Sequence, residues 1–178
     1  MINTKETKKE FLMFLLDKPI NKILDLGCGR GLMSKFFEKK GVKAIGIDIK
    51  RILEDSDNFK LIEGDIRKEN FGKKNDLVIA SLILHFFEKN EALQIIKRMK
   101  NSTSKHGYNF LICMSKEDEI AKEKSEKFYP NDTELKEIYK DWTLIKEIKG
   151  ITETEDHDNI GPHKHNLIFL LFKNNITL

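Results

Sequence analysis

Short apolar runs recur along the chain and alternate with longer, charged stretches that have helical spacing. The runs cover residues 23–26, 42–47, 59–63, 75–81 and 107–114, and the fourth is apolar enough for a strand covered on both faces. Residues 32–40 and 90–99 have the helical spacing. This alternation predicts an α/β fold with a largely parallel sheet.

The two ends of the chain depart from this alternation. Residues 3–16 predict a leading helix that ends before Pro19, and that either partly covers a ligand site or merely covers the sheet. Residues 115–128 are charged without an apolar stripe, which favours a mobile connection, and a helix follows to about Tyr139. Residues 142–149 and 166–173 predict an antiparallel hairpin, since no helix separates them. We find no repeat or linker, so residues 1–178 are expected to form one domain, with residues 1–18 as its leading helix and possible partial lid.

Three glycines follow the first apolar run at alternate positions. Gly27, Gly29 and Gly31 allow unusual backbone angles and close approach of a ligand, as in strand–turn–helix nucleotide sites. A dinucleotide fingerprint would place its third glycine at Leu32 instead. Asp25 would repel a pyrophosphate but suits a ligand that carries an ammonium or sulfonium group.

A second acidic residue, Asp48, follows the second apolar run, where it can accept hydrogen bonds from two ribose hydroxyls. Asp25, the glycine turn and Asp48 together resemble motifs I and II of the class I S-adenosylmethionine-dependent methyltransferases, although a NAD site or a coincidental glycine turn remains an alternative. The resemblance implies S-adenosyl-L-methionine as cofactor. It also implies a Rossmann-like, seven-stranded mixed sheet in the order 3-2-1-4-5-7-6, with strand 7 antiparallel and helices on both faces.

The resemblance also implies a set of cofactor-binding residues. Asp65 would bind the adenine amino group, Ile66 would pack against the ring, and Ser81 would offer a carbonyl to the cofactor's ammonium. By itself, the Gly64-Asp65 pair reads equally as an exposed turn. The complete implied set is Asp25, Gly27, Gly29, Gly31, Asp48, Ile49, Asp65, Ile66 and Ser81.

His85 is a candidate base because it is the titratable side chain just beyond the fourth strand, although it could simply be packed among its apolar neighbours. The segment that carries it resembles motif IV of small-molecule methyltransferases and lacks the Asn-Pro-Pro-Tyr type found in nucleic-acid enzymes. A small-molecule acceptor is therefore expected. The alternatives are a nucleic-acid or protein methyltransferase, or a cofactor-binding module without turnover.

The predicted hairpin connection is rich in histidine. His163 and His165 alternate, so they should point to one face, and His157 or Asp158 could approach them. They are candidates for acceptor contact or catalysis, for a divalent metal, or for a solvated loop. From residue 129 to residue 173 the chain loosely resembles the tellurite-resistance methyltransferase branch, whose members carry basic and histidine side chains near this hairpin.

The composition of the chain limits the kinds of partner and the compartment that we expect. The 178 residues are 39% hydrophobic and 34% charged, with no apolar run long enough for a membrane span and no visible signal peptide. The net charge of +3 comes from lysines interleaved with glutamates, which argues against a nucleic-acid partner. Cys28 and Cys113 form no paired motif, consistent with a reduced, cytoplasmic compartment. Nothing in the sequence indicates the oligomeric state.

Overall fold

Seven strands and five α-helices make up the described part of the computed structural model, which covers residues 1–124, 126–154 and 161–175. The strands are β1 Lys22–Leu26, β2 Lys43–Asp48, β3 Phe59–Glu63, β4 Asn75–Ser81, β5 Thr103–Met114, β6 Thr143–Ile151 and β7 Asn166–Lys173. The helices are α1 Thr4–Leu16, α2 Leu32–Lys35, α3 Lys89–Ser102, α4 Glu119–Glu123 and α5 Asp132–Ile138, with 3-10 turns at Glu38–Lys40 and Leu84–Phe86.

The strands form one sheet in the order β3-β2-β1-β4-β5-β7-β6, which confirms the predicted topology. The first five strands run parallel, and β7 runs antiparallel to both β5 and β6. Met114 at the end of β5 therefore pairs with Leu167 at the start of β7. The carboxyl ends of β1–β5 and the beginning of β7 consequently share one edge of the sheet.

The apolar core lies on both faces of this sheet. On one face, the buried side of α3 packs with residues of α5 against β4, β5 and β7. On the other face, α1 and α2 contribute side chains to a second cluster. The ring of Phe11 in α1 is fully buried and stacks on Phe110 of β5, with 4.8 Å between ring centroids. The leading helix therefore covers the sheet, and a role as a partial lid stays a prediction.

The helix after the glycine turn is shorter than its apolar spacing predicts. α2 ends at Lys35, and the Phe37 amide donates to the carbonyl of Ser34, only three residues back, at 3.2 Å. This tighter turn buries Phe37, whereas Leu32 is 75% exposed instead of sharing the apolar face. The regular helix α2 therefore ends early, and the ring of Phe37 is buried in the core.

Residues 115–128 contain anchors that the charge pattern did not predict. The Asp118 carboxylate accepts a hydrogen bond from the Ile120 amide at 3.1 Å and caps α4. Phe128 is buried, and its amide donates to the carbonyl of Phe87 at 2.9 Å. Apart from residue 125, which is outside the described ranges, this segment is held at both ends, since the Ser115 amide also donates to the carbonyl of Asn166 at 2.7 Å.

Within the described ranges, no helix combines the length and apolar character needed to cross a membrane, and α3 has 14 residues. Both cysteines are free thiols; Cys113 is buried within β5, and Cys28 is partly buried in the turn after β1.

We expect Phe11→Ala to lower the free energy of unfolding by about 3–4 kcal/mol, because it removes a fully buried ring from the contact between α1 and the sheet. Met13→Ala is the matched control, since Met13 lies in the same helix and is 50% exposed; it should change stability by less than about 0.5 kcal/mol. Urea denaturation monitored by circular dichroism measures both. Equal losses in the two variants would contradict the packing of α1.

Candidate functional site

The turn after β1 needs glycine for two different reasons. Gly27, Gly29 and Gly31 all have positive φ, at 62°, 52° and 62°. A Cβ on Gly27 would also lie 2.5 Å from side-chain carbons of Ile83, so close packing excludes one there. A Cβ on Gly29 would meet nothing within 4 Å. The turn is therefore packed at its start and open at its middle, where a ligand can approach the backbone.

Asp48 holds this turn against the end of β2. The Gly29 amide donates to Asp48 Oδ2 at 2.8 Å, and the Lys50 amide donates to Oδ1 at 3.1 Å. Each carboxylate oxygen keeps a further lone pair, so the oriented group can still accept from two neighbouring hydroxyls. The approach of the turn to β2 depends on Gly46, where a Cβ would lie 2.5 Å from Cys28 Sγ.

Asp25 is a buried carboxylate at the end of β1, with only 3% of its surface exposed. Burial raises the pKa of Asp25 to about 7, while hydrogen bonding to Ser34 acts in the opposite direction. The negative charge of Asp48 raises the pKa further, and the positive charge of Lys8 in α1 lowers it. A cationic ligand would stabilise the ionised form of this buried carboxylate more than it would stabilise an exposed carboxylate.

A cavity of about 430 Å³ opens beside the turn at the carboxyl ends of four parallel strands. Such an edge is where open α/β sheets bind ligands, and the volume suits a small-molecule ligand. Ile49 and Phe86 both line it and are 69% and 63% exposed, so they offer apolar surfaces to a planar group. The lining comprises Gly27, Asp48, Ile49, Lys50, Asp65, Ile66, Arg67, Leu82, Ile83, Phe86 and Phe87.

The structure brings five of the nine implied cofactor residues into this lining: Gly27, Asp48, Ile49, Asp65 and Ile66. The other four lie outside the lining; Asp25, Gly29 and Gly31 belong to β1 and its turn, and Ser81 ends β4. Sequence reasoning missed Arg67 and assigned Phe86 and Phe87 only to the packing around His85. The available signal was their place in the loops that follow β3 and β4.

A second cavity, of about 390 Å³, lies at the start of β7 and contains both hairpin histidines. His165 Nδ1 lies 3.3 Å from Asp118 Oδ2, and that oxygen also accepts from the Asn166 amide at 2.7 Å. His163 Nε2 lies 3.1 Å from His165 Nε2. The alternating histidines thus share one side, as predicted, and Asp118 is the partner that the sequence did not reveal.

The arrangement constrains the protons of this histidine pair. His163 Nδ1 lies 2.6 Å from the carbonyl oxygen of Gly161, which can only accept, so Nδ1 carries the proton. By the same reasoning His165 Nδ1 donates to the carboxylate of Asp118. The two Nε2 atoms are then the ring nitrogens that face each other, at 3.1 Å.

His85 interacts with residues that line each of the two cavities. Its ring contacts Phe86, which lines the first cavity, with 4.3 Å between centroids. Burial lowers the pKa of His85 to about 4; the charge of His165 lowers it further, and that of Asp118 raises it. His85 is therefore a neutral imidazole at pH 7, and its buried Nδ1 atom makes no hydrogen bond within the described residues.

The predicted metal site includes one histidine outside the described residues. Across residues 1–124, 126–154 and 161–175, no three histidine, cysteine, aspartate or glutamate side chains come together as a metal would require. His157 lies outside the described residues. Participation of His157 with His163 and His165 in a divalent metal site therefore stays a prediction.

Comparison with known proteins supports the resemblance drawn from the motifs. The family model described as tellurite resistance protein TehB matches residues 15–171. A probable S-adenosyl-L-methionine-dependent methyltransferase TehB from Haemophilus influenzae is 26% identical over 149 residues, which cover 79% of this chain and 52% of that protein. The chain spans about half the length of the curated TehB relatives that it matches.

Solved structures share the same fold. The crystal structure of TehB from Haemophilus influenzae superposes with a TM-score of 0.74 at 21% identity, covering 95% of this chain and 62% of that one. The N-methyltransferase NodS from Bradyrhizobium japonicum, in complex with S-adenosyl-L-homocysteine, gives 0.73 at 13% identity and covers 98% of this chain and 89% of that one. With its sheet order, glycine turn and family match, this chain belongs to the tellurite resistance protein TehB family and has the class I methyltransferase fold.

Proposed function

We propose that this chain is an S-adenosyl-L-methionine-dependent methyltransferase that acts on a small-molecule acceptor. The observation that carries the proposal is the Asp48 carboxylate, held by the Gly29 amide at 2.8 Å beside an open glycine turn and a cavity of about 430 Å³. The TehB relatives are named probable S-adenosyl-L-methionine-dependent methyltransferases, and the similar NodS structure holds S-adenosyl-L-homocysteine.

Each part of the site suits one part of the cofactor. Asp48 is oriented to accept from the ribose hydroxyls, and the exposed Ile49 offers an apolar face to the base. Asp65 is an acceptor for the adenine amino group, and the buried Asp25 attracts the ammonium group. When bound, the cofactor supplies a methyl group on a positively charged sulfur. Backbone contacts come from Gly27, Gly29, Gly31, Ile66 and Ser81.

The acceptor is proposed to lie next to His85. His85 is neutral at pH 7 because burial lowers its pKa to about 4, so the imidazole can accept a proton from an acceptor whose reactive atom carries one, as a weak base. The side chains of His163 and His165, which line the second cavity, offer polar contacts to a small acceptor. Asp118 keeps His165 in position through the contact at 3.3 Å. Transfer otherwise depends on alignment and on exclusion of water.

The cofactor site is tested by a pair of glycine variants. Gly29→Ala should abolish detectable binding of S-adenosyl-L-homocysteine in calorimetry, because the new methyl group would occupy the space where the ligand approaches the turn. Gly41→Ala is the matched control, since Gly41 also has positive φ, at 70°, and its Cβ would likewise meet nothing within 4 Å. Both variants should lose a similar stability, about 1–2 kcal/mol, from left-handed strain.

Only the cofactor contact distinguishes these two glycine variants, so Gly41→Ala should bind like the parent. Normal affinity in a folded Gly29→Ala protein would show that no ligand lies over this turn. Tight binding of NAD by the parent, with no response to S-adenosyl-L-homocysteine, would refute the cofactor assignment itself.

Asp25 should make cofactor affinity depend on pH. Because the pKa of Asp25 is raised to about 7, we expect S-adenosyl-L-homocysteine to bind up to about tenfold more tightly per pH unit as pH rises toward 7, and then to level off. The ionised carboxylate attracts the ligand's ammonium group. Calorimetry between pH 5.5 and 8 measures the slope, and Asp25→Asn should remove it. An unchanged slope in Asp25→Asn would rule out Asp25 as its source.

The stability of the ligand-free protein should show the opposite trend. The folded state keeps a proton on Asp25 up to a pKa of about 7, whereas the unfolded chain releases it near the ordinary value of 3.8. Between these values the folded state binds more protons, so the free energy of unfolding falls as pH rises. Asp25→Asn should flatten this trend in urea denaturation, which checks the same charge without ligand.

The acceptor site is tested by replacing both hairpin histidines. His163→Ala/His165→Ala should remove methyl transfer to small acceptors such as tellurite, selenite and simple thiols, while S-adenosyl-L-homocysteine binds as in the parent. The reason is that both side chains line the second cavity and neither lines the first. His106→Asn is the control, because His106 is exposed near the start of β5, away from the carboxyl edge.

Chelation separates the two roles left open for these histidines. Loss of turnover with chelator and recovery with added divalent ion would indicate a metal, whereas insensitivity would indicate direct contact with the acceptor. Turnover of the double variant at the parent rate would refute both roles. A parent protein that binds the cofactor but methylates no small acceptor would favour a binding module, or an enzyme for nucleic acid or protein.

A further inference from the structure

Arg67 binds two carboxylates at the rim of the first cavity. Its Nε atom lies 3.0 Å from both oxygens of Asp65, and Nη2 donates to Asp65 Oδ2 at 2.6 Å. Its Nη1 atom donates to Glu91 Oε1 at 2.9 Å. Glu91 also accepts from the Glu88 amide in the capping box of α3. The guanidinium thus connects the loop after β3 to the first turn of α3.

A second arginine fixes the backbone of the same loop. Arg98 of α3 donates through Nη1 to the carbonyl oxygens of Ile66, at 2.8 Å, and Arg67, at 2.9 Å, and through Nη2 to that of Glu69. Its guanidinium stacks over the ring of Phe71 with 4.0 Å to the centroid. The loop is therefore held to α3 twice, through its backbone by Arg98 and through a side chain by Arg67.

The contacts leave Asp65 with limited capacity to accept another hydrogen bond. A carboxylate has about four acceptor positions. Three donors of Arg67 already use this group: the backbone amide at 2.9 Å from Oδ1, Nε, which it shares between both oxygens, and Nη2. About one position remains, which matches a single N–H donor and leaves no position for a second donor. These bonds also lower the pKa of Asp65, so the group stays ionised.

We propose that Arg67 is a positioning residue that aims the remaining lone pair of Asp65 at the amino group of the cofactor's adenine. This inference rests on the proposed cofactor site and goes beyond it by assigning the choice of base to the Asp65–Arg67–Glu91 contacts. Asp65, Arg67 and Phe87 all line the cavity, and the guanidinium lies over the Phe87 ring at 5.7 Å from its centroid. A fixed, ionised acceptor selects a 6-amino purine over a 6-oxo purine, whose oxygen it would repel.

The test compares S-adenosyl-L-homocysteine with S-inosyl-L-homocysteine, its 6-oxo analogue, by calorimetry. We expect Arg67→Ala to weaken binding of the adenosyl ligand about tenfold and to reduce the preference over the inosyl ligand by a similar factor. Arg67→Lys should behave like Arg67→Ala, since an ammonium keeps the charge but lacks the bidentate geometry. If Arg67 had only a structural role, Arg67→Ala would weaken the binding of both ligands equally and leave the preference unchanged.

A double-variant cycle shows whether Arg67 acts through Asp65. Asp65→Asn should lose the same preference, and Asp65→Asn/Arg67→Ala should bind no more weakly than the weaker of the two single variants. Arg51→Ala is the matched control: Arg51 also pairs with a carboxylate, Asp55, at 3.4 Å, but does not line the cavity. This variant should keep the affinity and the preference of the parent.

Three outcomes would overturn the inference. Unchanged or tighter binding by Arg67→Ala would show that Arg67 is idle or obstructs the site. Losses that add in the double variant would show that Arg67 contacts the ligand independently of Asp65. Equal weakening of both ligands would assign Arg67 a purely structural role. Failure of the parent itself to bind S-adenosyl-L-homocysteine is a separate result, because it refutes the cofactor site before any variant is compared.

Discussion

The hydrogen bond from the Gly29 amide to the Asp48 carboxylate, 2.8 Å long, is the contact on which the candidate cofactor site depends. It joins the turn after β1 to the end of the neighbouring parallel strand, and so places a carboxylate and open backbone at one point. The contact is possible because Gly46 leaves room for the Cys28 side chain beneath the turn. A side chain at Gly46 would separate the turn from β2 and remove the orientation of Asp48.

Buried charge at the carboxyl edge of the sheet is compensated to different degrees. Asp118 is 1% exposed and accepts from two backbone amides as well as from His165, so its burial is well compensated within the protein. Asp25 is buried to a similar extent, but burial exceeds the effect of its partners and raises its pKa to about 7. Asp25, whose burial is not fully compensated, is therefore suited to binding a ligand. Asp118, whose burial is compensated, is suited to holding the side chain of His165.

The reversal of β7 brings the second group of candidate residues to the same edge. Because β7 runs antiparallel to β5, its first residues lie beside the last residues of β5, and Ser115 donates to the carbonyl of Asn166 at 2.7 Å. His165 consequently contacts Asp118, and both affect the pKa of His85 beyond β4. The first cavity is therefore lined by residues that follow the parallel strands, and the second is completed by the start of the antiparallel strand.

Local patterns in the sequence were sufficient to predict the strands and the cofactor motifs. Apolar periodicity located the strands, and the spacing of Asp25, the three glycines and Asp48 indicated the family and hence the order of the sheet. These features could be predicted because a strand, a glycine turn and the acid after a strand depend on neighbouring residues. The shortening of α2 was missed because it depends on burial of Phe37 in a core assembled from distant segments.

The contacts between polar side chains, in contrast, depend on the folded structure. The pairing of Asp118 with His165 joins residues 47 positions apart, and that of Arg67 with Glu91 joins residues 24 positions apart, so no local pattern indicates either. The pKa values of Asp25 and His85 likewise follow from burial, which depends on the packing of helices against the sheet. Local sequence patterns therefore indicated the candidate residues. Their hydrogen-bond partners and their pKa values depend on packing between distant parts of the chain.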